Sequence, residues 1–324
     1  MSIRVGIAGV SGYGGGELLR LCTGHPEFDV VYAAGETSAG QKLVERFPGI
    51  SAKLAELVIQ KWDPDRLPTL DMLFASLPTG QSKSALANVA KGMKIVDVGG
   101  DHRYVAGWVY GLADVWPQKI RSATRVANPG CYPSAALTAI APLVSAGLVQ
   151  KGQIIIDAKT GVSGAGRGGV DAKFGFAELN EDVSAYGLLK HPHVPEIEAT
   201  LNQLSGAGGA SAVFTAHLIP MTRGILATCY LPGKATTTQC LEAARKFYAG
   251  RAFVRVVDQP PHTKWATGSN LVFVSYASAG DGTIIALGAI DNLGKGAAGQ
   301  AVQNANLMCG LAETVGLEGV PIWP

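Results

Sequence analysis

Charge is scarce in this sequence. Only 16% of its 324 residues are Asp, Glu, Lys or Arg, and the basic and acidic residues nearly cancel to a formal net charge of +2. No Lys/Arg run is interleaved with aromatics, which make up just 7%, so the basic, stacking-rich groove of a nucleic-acid binder is not expected. Cysteine is sparse too. Cys22, Cys131, Cys229, Cys240 and Cys309 are an odd number with no C-x-x-C pair, which disfavours zinc-finger chemistry and fits free thiols in a reducing compartment, the cytoplasm. Ser2 to Val10 run straight into a strand-like segment without a basic and then apolar leader, so no export signal is expected. The uncharged stretch from Val126 to Gln150 is punctuated by Pro129, Gly130, Pro133, Pro142 and Gly147. It predicts a buried helix and no membrane span.

What is abundant is apolar material, 47% of the chain, together with 42 glycines, a composition that suits close-packed α/β layers and leaves little for a disordered tail. The length exceeds the usual single-domain size, so two domains are expected. In the first half, strand-like runs at Arg4–Ala8, Val30–Ala34, Met72–Leu77 and Lys94–Val98 alternate with helical patterns at Gly15–Thr23 and Gln81–Lys91. That rhythm predicts right-handed crossovers in a doubly wound, Rossmann-type parallel sheet. From Ile154 onward strand-like runs dominate, at 154–158, 213–219, 225–231, 253–257, 271–276 and 283–290, with one convincing amphipathic helix near Gln239–Tyr248. A second, α+β domain with a mixed, largely antiparallel sheet is expected over 131–297, with 298–324 returning to a first domain of 1–130.

The first strand runs into Gly9-Val10-Ser11-Gly12-Tyr13-Gly14-Gly15-Gly16 and then an amphipathic helix. Glycines at this place permit a tight turn and let the backbone approach a pyrophosphate, whose charge is met by the free N–H groups of the helix start. Gly9, Ser11, Gly12, Tyr13, Gly14 and Gly15 are the candidate dinucleotide contacts. Glu36, near the end of the second strand, favours the ribose hydroxyls of NAD, whereas Thr37, Ser38 and Lys42 suit a 2′-phosphate.

Asn128-Pro129-Gly130-Cys131-Tyr132-Pro133 places a thiol in a turn directly before a helical run, Ser134–Leu143. A thiol at a helix start feels the positive end of the helix dipole, which favours the thiolate. Cys131 is therefore a candidate nucleophile, while Cys22, Cys229 and Cys309 lie within apolar patterns. A thiolate nucleophile wants an imidazole, and His191-Pro192-His193-Val194-Pro195-Glu196 offers His191 and His193, with Glu196 able to orient one of them at the first turn of a helix. The His-x-His pair also has the form of a metal pair, but no third His or Cys stands at ligand spacing.

Taken together, Asn128–Pro133, Gly161-Val162-Ser163-Gly164-Ala165-Gly166-Arg167, His191–Ile197, Met221-Thr222-Arg223-Gly224-Ile225-Leu226 and Ala289-Ile290-Asp291-Asn292-Leu293-Gly294-Lys295-Gly296 resemble the N-acetyl-gamma-glutamyl-phosphate reductase family. The resemblance implies NADPH-dependent reduction of N-acetyl-glutamyl 5-phosphate to the 5-semialdehyde in arginine biosynthesis. It also implies a fold shared with aspartate-semialdehyde and glyceraldehyde-phosphate dehydrogenases, and a homodimer or homotetramer. Carried over residue by residue, Cys131 is the nucleophile and His193 or His191 the acid/base, with His193 preferred for its place beside the helix start. Asn292 joins the cofactor contacts, and Arg103, Asn128, Ser163, Arg167 and Arg223 bind the acyl-phosphate substrate. Backbone N–H groups of Gly130 and Cys131 are expected to stabilise the oxyanion. Three departures stand out: Gly35-Glu36-Thr37 where the family often has Ser or Arg, Gly100-Asp101-His102-Arg103 where it more often has Ala-Asp-Phe-Arg, and a stretch between Arg103 and Val109 that is shorter than in many relatives, so that a substrate-covering loop is expected to differ. Two other readings stay open, an aminoadipyl-phosphate reductase of carrier-linked lysine synthesis and a non-catalytic nucleotide-binding regulator.

Overall fold

The chain opens on a β-branched, alanine-ended run that forms strand β1 (Ile3–Ala8), whose residues from Val5 on are buried. In the computed structural model, which describes residues 2–167, 174–206, 208 and 210–322, β1 leads into α1 (Tyr13–Thr23). There follow β2 (Phe28–Ala34), α2 (Leu43–Arg46), β3 (Met72–Ala75), α3 (Ser82–Ala85), β4 (Lys94–Asp97), β5 (Val109–Tyr110), α4 (Pro117–Arg121) and β6 (Arg125–Ala127). Their sheet has the order β2-β1-β3-β4-β6-β5, and every pairing is parallel. Parallel pairing explains the composition of β3, Met-Leu-Phe-Ala, which is buried along its whole length.

The helix expected over Gln81–Lys91 is a single turn. Its serines are spent on other bonds, Ser84 Oγ donating to Gln81 O at 3.1 Å and Ser82 Oγ to Asp97 at 3.0 Å, and such local side-chain bonds compete with helix propagation. Strands β5 and β6 carry too few residues to show a period-2 pattern and were not anticipated.

The second sheet begins after α5 (Cys131–Ser145). It comprises β7 (Gln153–Thr160), β8 (Ser184–Tyr186), β9 (Ser211–Leu218), β10 (Ile225–Gly233), β11 (Val254–Val256), β12 (Val272–Ser278) and β13 (Gly282–Ile290), with α6 (Phe176–Leu179), α7 (His193–Ser205) and α8 (Thr237–Phe247) between them. The order is β11-β12-β13-β10-β7-β9-β8. Pairing is antiparallel except at β11/β12 and β7/β9. Helix α7 corrects the expectation of one amphipathic helix in this half. It runs 13 residues, but Pro195 and the sparse apolar residues Ile197 and Leu201 hid its period.

One face of this sheet packs on α5, α7 and α8. Helix α5 is buried almost all round, which accounts for the uncharged stretch read in the sequence; among the described residues no helix is long and apolar enough to cross a membrane. Pro142 inside α5 removes an N–H that would have bonded Thr138 O. That carbonyl accepts the Tyr248 hydroxyl instead, at 2.7 Å. Gly288 on β13 lets the sheet approach α5, since a Cβ there would collide with Ala135 O.

The last helix, α9 (Gly299–Met308), rejoins the first sheet, packing on α1, α4 and β4. The chain forms two compact units, one up to Pro129 with Ala297–Gly319 and one over Gly130–Gly296 with the segment from Val320. Buried amide N–H groups on α9 find their acceptors within the first unit. Gln300 Nε2 donates to Gly111 O at 2.8 Å, and Asn304 Nδ2 donates to Gly111 O at 2.9 Å and to Asn128 Oδ1 at 3.0 Å.

Candidate active site

In the first unit the glycine segment forms the turn between β1 and α1. Gly9 takes φ +82, and a Cβ on it would collide with the backbone of Ser76; Gly15 is equally constrained, its Cβ position lying on Gly9 O. Both spacings need glycine for backbone reasons. Gly12 caps α1 without any side-chain bond, so it offers the first-turn N–H groups no capping side chain. This is a cradle that fits a dinucleotide pyrophosphate, with no Cβ to fill it.

Around the cradle, Glu36 and Thr37 are exposed while Ser38 is buried. Lys42 is tied to Glu56 at 2.6 Å. The cation that reaches the glycine turn is one not foreseen: Arg46 Nη2 donates to Ser11 O at 3.3 Å. Ser11 also faces the end of β2, because a Cβ at Gly35 would overlap its hydroxyl. Arg46 stands in a loop-like Lys-Leu-Val-Glu-Arg-Phe segment with no motif of its own, and only tertiary folding of α2 reveals it.

Arg103 lies on the loop after β4, its Nε donating to Asn128 O at 3.0 Å. Asn128 is fully buried, and its side chain donates to Ala297 O at 3.1 Å and accepts from Asn304. Its amide therefore anchors the end of the first unit at Asn128–Pro129.

In the second unit, Gly130 has extended backbone and caps α5 without a side-chain bond, leaving Cys131 as the first helical residue. Cys131 is partly exposed. Burial pushes up the thiols of Cys22, Cys229, Cys240 and Cys309, which keeps them protonated and inert. Glycines flank Cys131 on both sides. A Cβ at Gly296 would sit 2.9 Å from that of Cys131, and a Cβ at Gly130 would overlap the His193 imidazole, 2.8 Å from its Cδ2.

Glu196 is fully buried, and its Oε1 accepts the Gly130 N–H at 2.8 Å. This changes one expectation. The Gly130 N–H is occupied by Glu196 and is not available as one of the expected pair of oxyanion donors. The carboxylate holds the turn that carries the thiol, at the start of two helices whose dipoles favour an anion there.

The two histidines differ. His191 is buried among Tyr132, Tyr186 and Phe214, with ring centroids 4.8–5.7 Å away, and its Nδ1 accepts the His193 N–H at 3.2 Å. Burial pulls its pKa below the usual histidine range, so a neutral ring with the proton on Nε2 fits both observations. His191 thus supports the α7 start, and His193 presents its ring to Gly130. Tyr186, from the short strand β8, was not foreseen; its hydroxyl lies 2.9 Å from that of Tyr132. Burial above all raises both phenols, Tyr186 to about 12, so both are neutral hydrogen-bonding groups at physiological pH.

Ser163 and Asn292 meet: Asn292 Nδ2 donates to Ser163 Oγ at 2.9 Å, and Asn292 Oδ1 accepts the Gly224 N–H at 2.8 Å. Arg223 donates to the buried Asp291 at 3.3 Å. The three motifs carrying these residues are thereby tied to one another. Arg167 stands exposed at the end of the β7 loop.

Comparison with known proteins fits this division. A family model described as semialdehyde dehydrogenase, NAD binding domain, matches residues 4–123, and another, semialdehyde dehydrogenase, dimerisation domain, matches residues 131–292. An N-acetyl-gamma-glutamyl-phosphate reductase of Bradyrhizobium sp. (strain ORS 278) is 69% identical with 100% of both chains covered, and one of Methylobacterium sp. (strain 4-46) is 66% identical with the same coverage. Among solved structures, aspartate semialdehyde dehydrogenase II of Vibrio cholerae, complexed with ASA, aligns at TM-score 0.74 with 18% identity, covering 95% of this chain and 98% of that one. The Candida albicans aspartate semialdehyde dehydrogenase with NADP aligns at 0.70 with 15% identity, covering 97% and 100%. At these identities the structural likeness concerns the fold.

Proposed function

The chain belongs to the semialdehyde dehydrogenase family, in its N-acetyl-gamma-glutamyl-phosphate reductase branch, and from that premise we propose that it makes N-acetyl-L-glutamate 5-semialdehyde from N-acetyl-L-glutamyl 5-phosphate through a thioester on Cys131. The product serves arginine biosynthesis. The aminoadipyl-phosphate and regulator readings find no support among its relatives. The observation that carries the mechanism is the turn in which buried Glu196 grips the Gly130 N–H, seating Cys131 at the α5 start with His193 packed on Gly130.

His193 takes the thiol proton and the Cys131 sulfur attacks the acyl carbon. The bond to phosphate oxygen breaks, phosphate leaves with the electron pair, and a thioester remains. The nicotinamide, when bound, supplies the hydride for that carbon. As the C–S bond then breaks, the sulfur leaves as thiolate and recovers its proton from His193. The Cys131 N–H stabilises the charge that develops on the acyl oxygen. Arg103 recognises the departing phosphate, and Arg167, Arg223, Ser163 and Asn128 shape the rest of the substrate site, the last two through the bonds described above. The first unit holds the dinucleotide and the second carries the chemistry and the subunit contacts. The face of the second sheet turned away from α5 presents Ile155, 44% exposed, and Tyr230, 36% exposed, and fits a partner sheet in a homodimer or homotetramer.

NADP is the expected dinucleotide. What supports this reading is Arg46, bonded to the Ser11 carbonyl beside the end of β2, a cation suited to a 2′-phosphate, with Ser38 and Thr37 nearby in sequence. Calorimetric titration checks this apart from turnover: Arg46→Ala weakens NADP by about tenfold or more, the worth of a charge-assisted hydrogen bond, and leaves NAD unchanged. Equal losses for both dinucleotides would place Arg46 outside the phosphate subsite. The activity itself is tested with N-acetylglutamate semialdehyde, inorganic phosphate and NADP. Dinucleotide reduction that depends on phosphate is expected, and reduction indifferent to phosphate contradicts the acyl-phosphate assignment.

A further inference from the structure

The loop that carries Arg103 encloses a carboxylate–imidazole pair that the chemistry above does not use. Asp97, at the end of β4, is 0% exposed and His102 is 5% exposed. His102 Nδ1 lies 2.7 Å from Asp97 Oδ2, which also accepts the Ser82 hydroxyl at 3.0 Å. The other oxygen, Oδ1, accepts the Gly99 N–H at 2.9 Å. A buried carboxylate is tolerated only when donors surround it, so the imidazole is part of what keeps Asp97 in place.

The same imidazole stacks on Trp108, with centroids 3.9 Å apart and planes 21° from parallel, and the Arg125 guanidinium lies 5.5 Å from the centre of the Trp108 ring. On the other flank, Asp101 accepts the Gly80 N–H at 2.7 Å and the Lys83 N–H at 3.2 Å. Arg103 follows directly. Its guanidinium folds back over Gly100, where φ is +94 and a Cβ would come 2.9 Å from Arg103 Cζ, and its Nε meets Asn128 O. His102 points into the unit and anchors the backbone, and its neighbour Arg103 is delivered to the turn that leads to Cys131.

We propose that His102 is a positioning residue for Arg103. Its bond to Asp97 and its stack on Trp108 lock the Gly100–Tyr104 backbone, so the guanidinium meets phosphate in one orientation. The inference rests on the reading of Arg103 as the phosphate-binding residue. Where the family pattern more often carries a phenyl ring, this chain carries a ring that also donates a hydrogen bond, and the donor is the part under test. A phenyl ring keeps the stack and takes one donor from Asp97. The loop then loosens, and the loss falls on phosphate recognition, because Cys131 and His193 are untouched.

The test is steady-state kinetics of semialdehyde oxidation with inorganic phosphate varied and the other substrates saturating. His102→Phe raises KM for phosphate about tenfold, the effect of losing a hydrogen bond to a charged group, while kcat stays within about twofold. His102→Asn, whose amide N–H replaces the Nδ1 donor, holds KM within about threefold of the native value. Arg103→Ala raises KM about a hundredfold in the same assay. If Arg103→Ala raises KM and His102→Phe does not, or lowers kcat instead, His102 is only packing and the proposal is overturned. If Arg103→Ala leaves KM unchanged, the reading of Arg103 itself fails and takes this inference with it. Should His102→Phe not fold, Trp108→Phe is read in its place: a raised phosphate KM supports the locked loop and an unchanged one overturns it.

Discussion

Replacing Cys131 by Ser lowers turnover of the acyl phosphate by about four orders of magnitude or more, while dinucleotide binding stays within about twofold. The size of the loss follows from the role. A serine hydroxyl is isosteric but far less acidic, so the α5 start and His193 cannot supply enough anionic nucleophile, and an ester would be harder to reduce than a thioester. Binding survives because the dinucleotide cradle is built from the Gly9–Gly15 turn of the other unit. Stopped-flow mixing of variant enzyme with acyl phosphate, followed by phosphate release, isolates the first step. No phosphate burst is expected from the Ser variant, and a burst equal to that of the native enzyme would remove the thiol from the mechanism. Changing any of the four remaining cysteines to Ala leaves chemistry intact, since burial already holds their thiols protonated.

Substitution of the two histidines separates their roles. His193→Asn lowers kcat by about two to four orders of magnitude, the usual worth of a positioned acid/base. His191→Asn keeps an acceptor near the His193 N–H and costs much less, about tenfold, through a looser α7 start. The sign of the pH effect follows from burial. His191 is held below the usual histidine pKa, so it is neutral at physiological pH, and stability is lost on acidification, as an enclosed ring must charge on unfolding. His191→Asn therefore flattens the acid limb of the stability profile without moving the pH profile of kcat, whereas His193→Asn changes the latter. If His191→Asn abolished turnover and His193→Asn did not, the assignments would be reversed.

Much of this site was legible because its parts are local in sequence. The glycine turn needs its residues at fixed offsets for steric reasons that a single chain displays, and Cys131 at a helix start is visible from Pro129, Gly130 and the Ala-rich run that follows. The family resemblance rests on the same local segments. What was hidden is what depends on tertiary meeting. The bond of Glu196 to the Gly130 N–H spans 66 positions of sequence, beyond the reach of any local pattern. Tyr186 lies in a three-residue exposed strand with no pattern. Arg46 comes to the glycine turn only because α2 folds back toward α1, and the Asn292–Ser163–Gly224 junction joins segments that sequence reading took one at a time. Short strands β5 and β6, and the extent of α7 beyond the first turn read at Glu196, were missed for a related reason: tertiary context, not local propensity, sets them.

The central claim is a covalent acyl group on one sulfur. Native enzyme mixed with N-acetylglutamyl 5-phosphate in the absence of dinucleotide, quenched in acid and digested, is expected to show by mass spectrometry one N-acetylglutamyl adduct, on the peptide containing Cys131, with one phosphate released per adduct. Full turnover on adding NADPH without any such adduct having formed, or an adduct on another cysteine, contradicts the account.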